Sequence, residues 1–564
     1  MRNRCIHYYC LVLMACLTSL PVVARTINID ATAMGQGVTE KLRAACRQAS
    51  ATDTVVIAFG PGQYTIDGTI QCACHTVIKG AGRDRTVLLL DKGKDRAGFK
   101  AFPDDTFFKF MGTLNSPVAV SISDITFKLK EHNGIWWDGA IFHAVKIYHA
   151  NKVDIHRVNS YMQDAIITNF DLRVCSHVSV TDCIISNYNN CKEGGNLWIR
   201  GQTTDVLIKG NKFYKYGNDE IIGFFSNLIN NDGYIKGDVE RSGIRIEDNE
   251  LNYGPQDNKQ NPDVINHTLL TLEGEDTKGQ WKSTTRDIHI KNNKFSVNGE
   301  TQRCLYLKFN ENDLHRDIYI EGNQIINQDL HSPKLYYRYD IELKDASAAA
   351  DTIHLINNQV TNNNSVLNPS RVVGYSCLYI RGGNVKMSGN RIVSNVTTDP
   401  FTGRDTGVQL VWCGAEGGTV TMTDNVAKGV MCVATVGAGS GTESFTLNAY
   451  NNYFTGDTRV YCHNVKELNL NFNHNTFKSR SSNFFLQEFA HRGRVVFNNN
   501  DITVTTGEGK LMTHWSNKST NDMRFDYLEV KNNVFRGVKN EQDLFKHMTN
   551  VKKRSLRSNS IKRL

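Results

Sequence analysis

The sequence predicts an all-β chain wound into a single-stranded right-handed parallel β-helix with three strands per coil. One observation is a short phrase of strand, polar residue, Asn and strand that recurs from about residue 175 onward. A second is a further short strand that precedes each copy of the phrase. A third is the lack of Pro- or Ser-rich linkers and of low-complexity tracts in a chain of 564 residues. One elongated architecture therefore fits better than a string of small domains.

The recurring phrase places an Asn between two apolar strands, at intervals of roughly twenty to forty-odd residues, which is typical of solenoid repeats. Its copies centre on Asn211, Asn249, Asn293, Asn323, Asn358, Asn390, Asn425, Asn452, Asn475, Asn500 and Asn533. We expect each Asn to occupy the corner between two strands in the left-handed backbone region. Stacked coils would then align the amides in an Asn ladder. A propeller or sandwich would instead need hairpin turns at short regular spacing.

The strand before each phrase alternates, so aliphatic side chains face inward and aromatic or charged side chains face outward. The predicted outward positions are Trp198 and Arg200, Thr271 and Glu273, Tyr306 and Lys308, Glu342 and Lys344, Tyr379 and Arg381, and Gln409 with nearby Trp412. Because adjacent coils lie about 4.8 Å apart, these residues should form continuous columns on one face.

The N-terminus has the pattern of an export signal. Basic residues precede an apolar run that ends at Leu20, and Val22 and Ala24 are small residues at the positions that signal peptidase recognises. We assign residues 1–24 to a signal peptide and expect a periplasmic or extracellular protein. Lipoprotein anchoring at Cys16 is the less favoured alternative. The apolar run is too short to span a bilayer, and we expect no membrane span.

The remaining chain divides into three predicted parts. Residues 25–75 form an N-terminal cap with a short amphipathic helix over Thr39–Ser50 and the first strands, because the open end of a solenoid exposes strand edges and apolar interior. Residues 76–540 form the β-helix. Residues 541–564 are a basic tail that we expect to be disordered.

Charge and cysteine usage narrow the partners. The formal net charge is +8, which in an exported protein suits a polyanionic glycan better than nucleic acid, although the basic tail contributes much of it. The cysteines beyond the leader are scattered within apolar strands, as at Cys183 and Cys432, so we expect buried core residues rather than a disulfide framework. We expect a monomer that binds an acidic polysaccharide.

The opening coils carry a second pattern. The predicted helix is followed by Gly60-Pro-Gly-Gln-Tyr64 and then by Val77-Ile-Lys-Gly-Ala-Gly-Arg-Asp-Arg-Thr-Val-Leu88. This resembles the start of the pectate-lyase-like β-helix superfamily, which includes polysaccharide lyases, glycoside hydrolases, epimerases and phage tailspikes. The resemblance implies a carbohydrate-active protein whose substrate lies along the outer face of the strand before the Asn phrase, and it leaves the reaction open.

That face supplies the predicted substrate-binding residues. Stacked aromatic rings suit sugar faces, and Arg or Lys side chains suit carboxylates. The predicted substrate-binding residues are Trp198, Arg200, Tyr306, Lys344, Tyr379 and Trp412. Long insertions flank the same strands at Phe224–Gly243, Tyr253–His267 and Glu275–Arg286. The alternative is that alternating Tyr and Lys are ordinary surface residues of a sheet.

The favoured reaction is β-elimination from an acidic polysaccharide, which needs a base for the C5 proton and a group that neutralises the uronate carboxylate. Lys308 beside Glu273, with Arg381 nearby, fits those roles. A Ca²⁺ ion can also act on the carboxylate. Glu273, Glu275 and Asp276 are its predicted ligands, with a solvated turn as the alternative for this trio.

Hydrolysis by paired carboxyl groups is the first alternative. Glu273 and Glu342 are one candidate pair, and Asp219 with Glu220 could join Glu273. The paired-aspartate motif of polygalacturonase-like hydrolases is missing. An earlier segment that includes His143 could supply a groove end or a histidine base, although a structural role is commoner for such a histidine. A non-catalytic glycan-binding surface protein is the second alternative.

Overall fold

The structure, a computed structural model, is a long parallel β-helix. It describes residues 25–563 apart from 35–36, 94–105, 131–141, 164–166, 189–193, 218, 227–237, 255–266, 275–281, 299–300, 329–336, 348–350, 364–373, 396–407, 438–441, 481–482, 507–508, 514–524 and 546–550. The predicted signal peptide therefore lies outside the described residues. Every strand pairing in the helix is parallel and joins successive coils, which confirms the predicted fold class.

The first sheet carries the candidate site. In each coil its strand comes immediately before the strand that leads into the Asn corner. Its separate strands are Ile70–Cys72, Thr106–Met111, Ile222–Phe225, His267–Glu273, Thr301–Phe309, Tyr337–Asp345, Gly374–Arg381, Val408–Cys413 and Lys510–Thr513. Long strands run from the first sheet around a corner into the second. These are Phe142–His156, Ile167–Thr181, Leu197–Lys209, Val460–Asn473 and Asn483–Asn498.

The second sheet leads into the Asn corner. Its separate strands are Thr26–Asp30, Thr54–Ala58, His75–Lys79, Val118–Ser123, Val239–Glu247, Ser283–Lys291, Leu314–Glu321, Thr352–Ile356, Asn384–Ser388, Gly418–Thr423, Thr442–Tyr450, Phe525–Lys531 and Val551–Arg557. Buried and partly exposed residues alternate along them, as in Val239–Glu247. The buried set faces the interior of the coil.

The third sheet follows the Asn corner. Its strands are Gly62–Ile66, Thr86–Leu90, Thr126–Leu129, Asn159–Gln163, Ile184–Tyr188, Lys212–Tyr216, Glu250–Tyr253, Lys294–Asn298, Gln324–Gln328, Gln359–Asn362, Arg391–Ser394, Tyr453–Gly456, Thr476–Ser479, Asp501–Val504, Val534–Arg536 and Ser560–Lys562. One more strand, Val426–Val436, continues from the third sheet into the first sheet of the next coil.

The Asn ladder is present and extends one coil beyond its prediction, to Asn559. At Asn323 the amide oxygen accepts from the backbone N–H of Asn293 at 2.9 Å and from its side-chain amide at 3.0 Å. The Asn323 amide donates in turn to the carbonyl of Ile290 at 2.8 Å and to the Asn358 oxygen at 3.0 Å. The polar atoms of this buried side chain are therefore satisfied within the stack.

The left-handed residue was predicted at the ladder Asn, which is wrong by one position. The left-handed residue is the one before each ladder Asn, as at Asp248 with φ 55°, Asn292 with φ 55° and Gly322 with φ 65°. The chain turns at that position, where Gly, Asp and Asn tolerate the left-handed conformation. The ladder Asn follows the turn, and its amide points into the coil.

The ladder begins only at Asn211. In the three preceding coils the equivalent positions are held by Ile125, Val158 and Cys183, as the corner hydrogen bonds of Asn159, Ile184 and Lys212 to those residues' carbonyls show. These corners are apolar and buried. This is why the sequence repeat could be recognised only from about residue 175.

The N-terminal helix, α1, spans Val38–Gln48 and buries Leu42 and Cys46 against the first coils, as predicted for a cap. This segment also contains strands. The strand Thr26–Asp30 pairs in parallel with Thr54–Ala58, so coiling begins before residue 76. The ten cysteines among the described residues are all buried, which agrees with the core role expected for them.

The predicted disordered tail is instead structured where it is described. A short helix, α2, spans Glu541–Phe545 and buries Leu544. Beyond it, Val551–Arg557 and Ser560–Lys562 pair with Phe525–Lys531 and Val534–Arg536 to form a last coil. Val551, Leu556 and Ile561 pack against the core of this coil, while the basic side chains around them remain exposed. Among the described residues no helix is long and apolar enough to cross a membrane.

Candidate functional site

The outward residues of the first sheet stack into two columns. The first column, in coil order, is Lys109, Lys146, Asp171, Trp198, Gly223, Thr271, Tyr306, Glu342, Tyr379 and Trp412. The second column is Tyr148, Arg173, Arg200, Phe225, Glu273, Lys308, Lys344 and Arg381. The predicted columns are confirmed, with two corrections. The coil of Gly223 and Phe225, which was not predicted, separates Trp198 from Thr271. Gln409 pairs with Ser376 and lies outside both columns, whereas Trp412 takes the column position.

The centre of this face holds a group of carboxyl side chains. Glu220 lies five residues before Phe225, the register partner of Glu273, so the two acids belong to adjacent coils but do not face each other in register. Burial and the charges of Asp219 and Glu273 together raise the pKa of Glu220 to about 7, against the opposing effect of Lys215. Glu220 is therefore a carboxyl group that holds its proton near neutral pH.

Lys215 lies beneath this acidic group and is fully buried. Its ammonium donates to the carbonyl of Gly194 at 2.5 Å, while the N–H of the same glycine donates to Asp219 at 2.7 Å. Burial lowers the pKa of Lys215 to about 8, partly offset by Asp219 and Glu220. The lysine and Asp219 thus fix the Gly194 turn from its two sides, next to Glu220.

Glu273 is held by a neighbouring cation. The ammonium of Lys308, its register partner in the next coil, donates to Glu273 Oε1 at 2.5 Å. One coil further, Arg303 Nε donates to Glu342 Oε2, and the Arg303 guanidinium lies 4.4 Å from the centre of the Tyr306 ring. Carboxylates and cations therefore alternate through the middle of the face. Such pairs fix the side-chain geometry of a site.

Aromatic rings line the C-terminal end of the face. The rings of Tyr339 and Tyr379 are stacked with centroids 4.4 Å apart, and Trp412 lies 5.6 Å from Tyr379 and 5.8 Å from Tyr339. At its edge, Arg381 donates to Glu416, and this hydrogen bond raises the pKa of the arginine and lowers that of the glutamate. This end is an aromatic platform with an ion pair at its rim.

Charged residues dominate the N-terminal end. Asp171 is fully buried, accepts from Arg173 Nη2 at 2.9 Å and lies 3.4 Å from Arg200 Nε. Burial would raise the pKa of Asp171, but the charges of Arg200, Arg173 and Lys146 hold it below its usual range. Burial and the charge of Lys146 lower the pKa of His143 well below its ordinary value. The histidine is therefore neutral beside an ionised carboxylate.

The predicted exposure of this face is wrong for several of its residues. Trp198 is 4% exposed, Glu342 5%, Lys308 8% and Trp412 9%. The alternation does place them outward, but their long side chains cover one another. The guanidinium of Arg200, for example, lies 4.4 Å from the centre of the Trp198 ring. The face is therefore a packed layer of charges and rings rather than a solvated surface.

The predicted Ca²⁺ site cannot be assembled from the described residues. Glu275 and Asp276 lie outside them, and Glu273 already accepts from the Lys308 ammonium. Within the described ranges no group of three or more His, Cys, Asp or Glu side chains is placed to hold a metal ion. Ca²⁺ dependence stays a prediction, with chelation as its check.

Several residues of the first-sheet face were not predicted from the sequence. Lys146-Ile-Tyr148 and Asp171-Leu-Arg173 have the same alternation as Trp198-Ile-Arg200, so the signal was present. It went unrecognised because these coils lack the ladder Asn. Arg303 and Tyr339 lie three residues before Tyr306 and Glu342 and pair with each other, which only the coil geometry shows.

Comparison with known proteins shows limited similarity. No family model and no curated protein sequence matches the chain. The N-terminal fragment of bacteriophage phi29 gene product 12 is 9% identical, with 98% of this chain and 95% of that chain covered at a TM-score of 0.40. PfbA, a surface adhesin of Streptococcus pneumoniae, is 12% identical, with 82% and 94% covered at a TM-score of 0.37.

The catalytic unit of the thermostable GH87 alpha-1,3-glucanase from Streptomyces thermodiastaticus strain HF3-3 is also similar. It is 13% identical, with 96% of this chain and 69% of that chain covered at a TM-score of 0.30. At such identities and scores, none of these similarities decides an activity. Membership of the pectate-lyase-like superfamily stays a prediction.

Proposed function

We propose that the protein is an exported carbohydrate-active enzyme that hydrolyses glycosidic bonds on the first-sheet face, with Glu220 as general acid. The observation that carries this proposal is the pKa of Glu220, which burial and the neighbouring charges of Asp219 and Glu273 raise to about 7. Glycosidases pair a protonated carboxyl group with an ionised one on either side of the scissile bond. Glu220 and Glu273 have these two environments in adjacent coils.

The proposed chemistry divides the two roles. Glu220 donates its proton to the oxygen of the leaving sugar as the bond from the anomeric carbon to that oxygen breaks. Glu273, held by Lys308, supplies the carboxylate that activates water or attacks the anomeric carbon. The oxygen added to the anomeric carbon comes from water in either case. The aromatic platform of Tyr379 and Trp412 supplies flat surface against which a sugar can pack.

Elimination has weaker support than hydrolysis. Lys308, the predicted base, is paired with Glu273, and a neighbouring carboxylate favours the protonated form of a lysine, which cannot accept the C5 proton. Arg381 is engaged by Glu416 in the same manner. The elimination hypothesis stays open as an outcome of the test below.

The test exposes the mature chain, residues 25–564, to a panel of neutral and acidic polysaccharides. We expect new reducing ends without the ultraviolet absorbance of an unsaturated uronate. Glu220→Gln should abolish them, while Glu250→Gln, a change at an exposed surface glutamate of the third sheet, should not. Ultraviolet absorbance that survives in Glu220→Gln would establish elimination instead. Binding without either product would leave a glycan-binding protein and end the enzyme proposal.

A further inference from the structure

Two buried cysteines meet where the N-terminal helix packs on the solenoid. Cys46 lies in the last turn of α1, and Cys72 ends the strand Ile70–Cys72 of the first sheet. Their Sγ atoms are 2.6 Å apart. Nonbonded heavy atoms pack best at about 3.5–4.0 Å, whereas the sulfurs of a disulfide are about 2.05 Å apart. The two sulfurs are therefore closer than packing explains and lie near bonding distance.

The docking of α1 brings the two sulfurs together. Leu42, one turn before Cys46, is fully buried against the first coils. Arg43 Nε donates to the carbonyl of Thr69 at 2.5 Å, directly before the strand that carries Cys72. The two cysteines are 26 residues apart in the chain, and their side chains are 4% and 1% exposed. The tertiary fold, and not the local chain geometry, thus sets the short distance between them.

The two thiols differ in how easily they ionise. The hydrogen bond between them lowers the pKa of Cys46, whereas the same hydrogen bond and burial raise the pKa of Cys72. Cys46 also lines a groove of about 520 Å³ between α1 and the first coils, together with Arg43 and Arg47. The thiolate is the form of cysteine that attacks a disulfide. Cys46 is therefore the sulfur that ionises first and the one nearer to an oxidant.

We infer that Cys46 and Cys72 form a single disulfide bond that fastens the N-terminal cap to the first coils as the chain folds in an oxidising compartment. The Cys46 thiolate attacks a small disulfide such as glutathione disulfide and displaces one glutathione. Cys72 then loses its proton and attacks Cys46 Sγ of the mixed disulfide, which displaces the second glutathione. Two protein thiols are oxidised, one glutathione disulfide is reduced to two thiols, and both protons end on glutathione.

The bond protects the open end of the solenoid. α1 covers the apolar interior of the first coils with Val38, Leu42 and Cys46, and an uncovered end would expose strand edges to other chains. A disulfide across this segment restricts the unfolded cap and so favours its docked state. Disulfides persist in oxidising compartments, which agrees with the predicted export. The inference is independent of the proposed hydrolysis, because neither Glu220 nor Glu273 takes part.

The experiment synthesises the mature chain, residues 25–564, in a cell-free mixture buffered with glutathione, once oxidising and once reducing. Iodoacetamide in denaturant then blocks every remaining thiol. Trypsin cleaves after Arg43 and Arg47, so Cys46 leaves in the peptide Ala44–Arg47 and Cys72 in the peptide Gln48–Lys79. Mass spectrometry of the oxidised chain should find these two peptides joined. Eleven of the 14 cysteines lie beyond residue 24, so the alkylated number should fall from eleven to nine.

Cys74 provides the matched control, because it lies in the same peptide as Cys72 and is buried like it. Cys74→Ala should keep the joined peptides, and Cys72→Ala should lose them. In the wild type, the amides of residues 42–48 should exchange hydrogen about ten-fold faster in the reduced chain than in the oxidised one. Alkylation of both Cys46 and Cys72 in the oxidised chain, or a bond from Cys46 to any other cysteine, would overturn the inference.

Discussion

Two stacks of polar side chains run along this molecule, and they differ in how their polar atoms are satisfied. In the Asn ladder each buried amide bonds to the amides above and below it, as Asn323 does with Asn293 and Asn358. On the first-sheet face, buried atoms of Trp198 and Asp171 have no hydrogen-bond partner in the described structure. Both stacks follow the coil, yet only the ladder is complete by itself.

This difference in hydrogen bonding distinguishes a stack that stabilises the fold from one that can bind or react. A polar stack that satisfies itself stabilises the fold and offers nothing to a ligand. A stack that leaves donors unused, and that raises the pKa of Glu220 to about 7, is costly to the fold and is expected at a site. Substitutions in the ladder should therefore reduce stability, whereas those on the face should reduce activity or binding.

The largest expected effect is on turnover in Glu220→Gln. Loss of a general acid lowers the rate by about 10²–10⁴-fold. Reducing-end assays at neutral pH would measure this, with Glu250→Gln as the matched surface control. A decrease of less than about ten-fold would be too small for a general acid and would remove Glu220 from that role.

The next effect is on stability in the ladder. Asn323→Leu keeps the side-chain volume but leaves the Asn293 donors and the Ile290 carbonyl without partners. We expect a loss of about 3 kcal/mol in the free energy of unfolding, seen as a lower denaturation midpoint. Asn395→Leu, at an exposed position, is the control. An unchanged midpoint in Asn323→Leu would mean that the ladder does not stabilise the coil.

The pH profile gives a third effect. Because Glu220 must be protonated as an acid, kcat/KM should fall as pH rises through about 7. Lys215→Met removes a cation that lowers the Glu220 pKa, so the fall should move to higher pH, by up to about one unit. Lys212→Met, at a half-exposed lysine of the same strand, should leave the profile in place. A shift to lower pH in Lys215→Met would contradict the assigned electrostatics.

The smallest effect is expected for a residue that the sequence predicted to be catalytic. Arg381 lies at the rim and is paired with Glu416, with about a third of its side chain exposed. An exposed pair of this kind contributes little, so Arg381→Gln should change kcat/KM by less than about three-fold. A larger loss, measured in the same assay as Glu220→Gln, would place Arg381 in contact with substrate.

The fold could be predicted because its signals repeat. The ladder Asn and the alternation around Tyr306 and Lys308 recur coil after coil, so each copy reinforces the others. The site could be predicted only in part. Most of the columns and the pair of Lys308 with Glu273 were predicted, but the coil of Gly223 and the pairing of Arg303 with Glu342 were not, because these depend on coil geometry and on side-chain reach between coils. The raised pKa of Glu220 depends on burial, which cannot be predicted from the residues around it in the sequence.

Thermal unfolding of Glu220→Gln at pH 8 tests the central claim most directly, and it needs no substrate. A carboxyl group whose pKa is raised from 4.5 to about 7 costs stability as pH rises through that interval, because the unfolded chain ionises first. Replacing it with a neutral amide should therefore leave the unfolding temperature equal to or above that of the wild type at pH 8. A clearly lower unfolding temperature would show that Glu220 stabilises the fold as the ladder does, and would contradict its assignment to function.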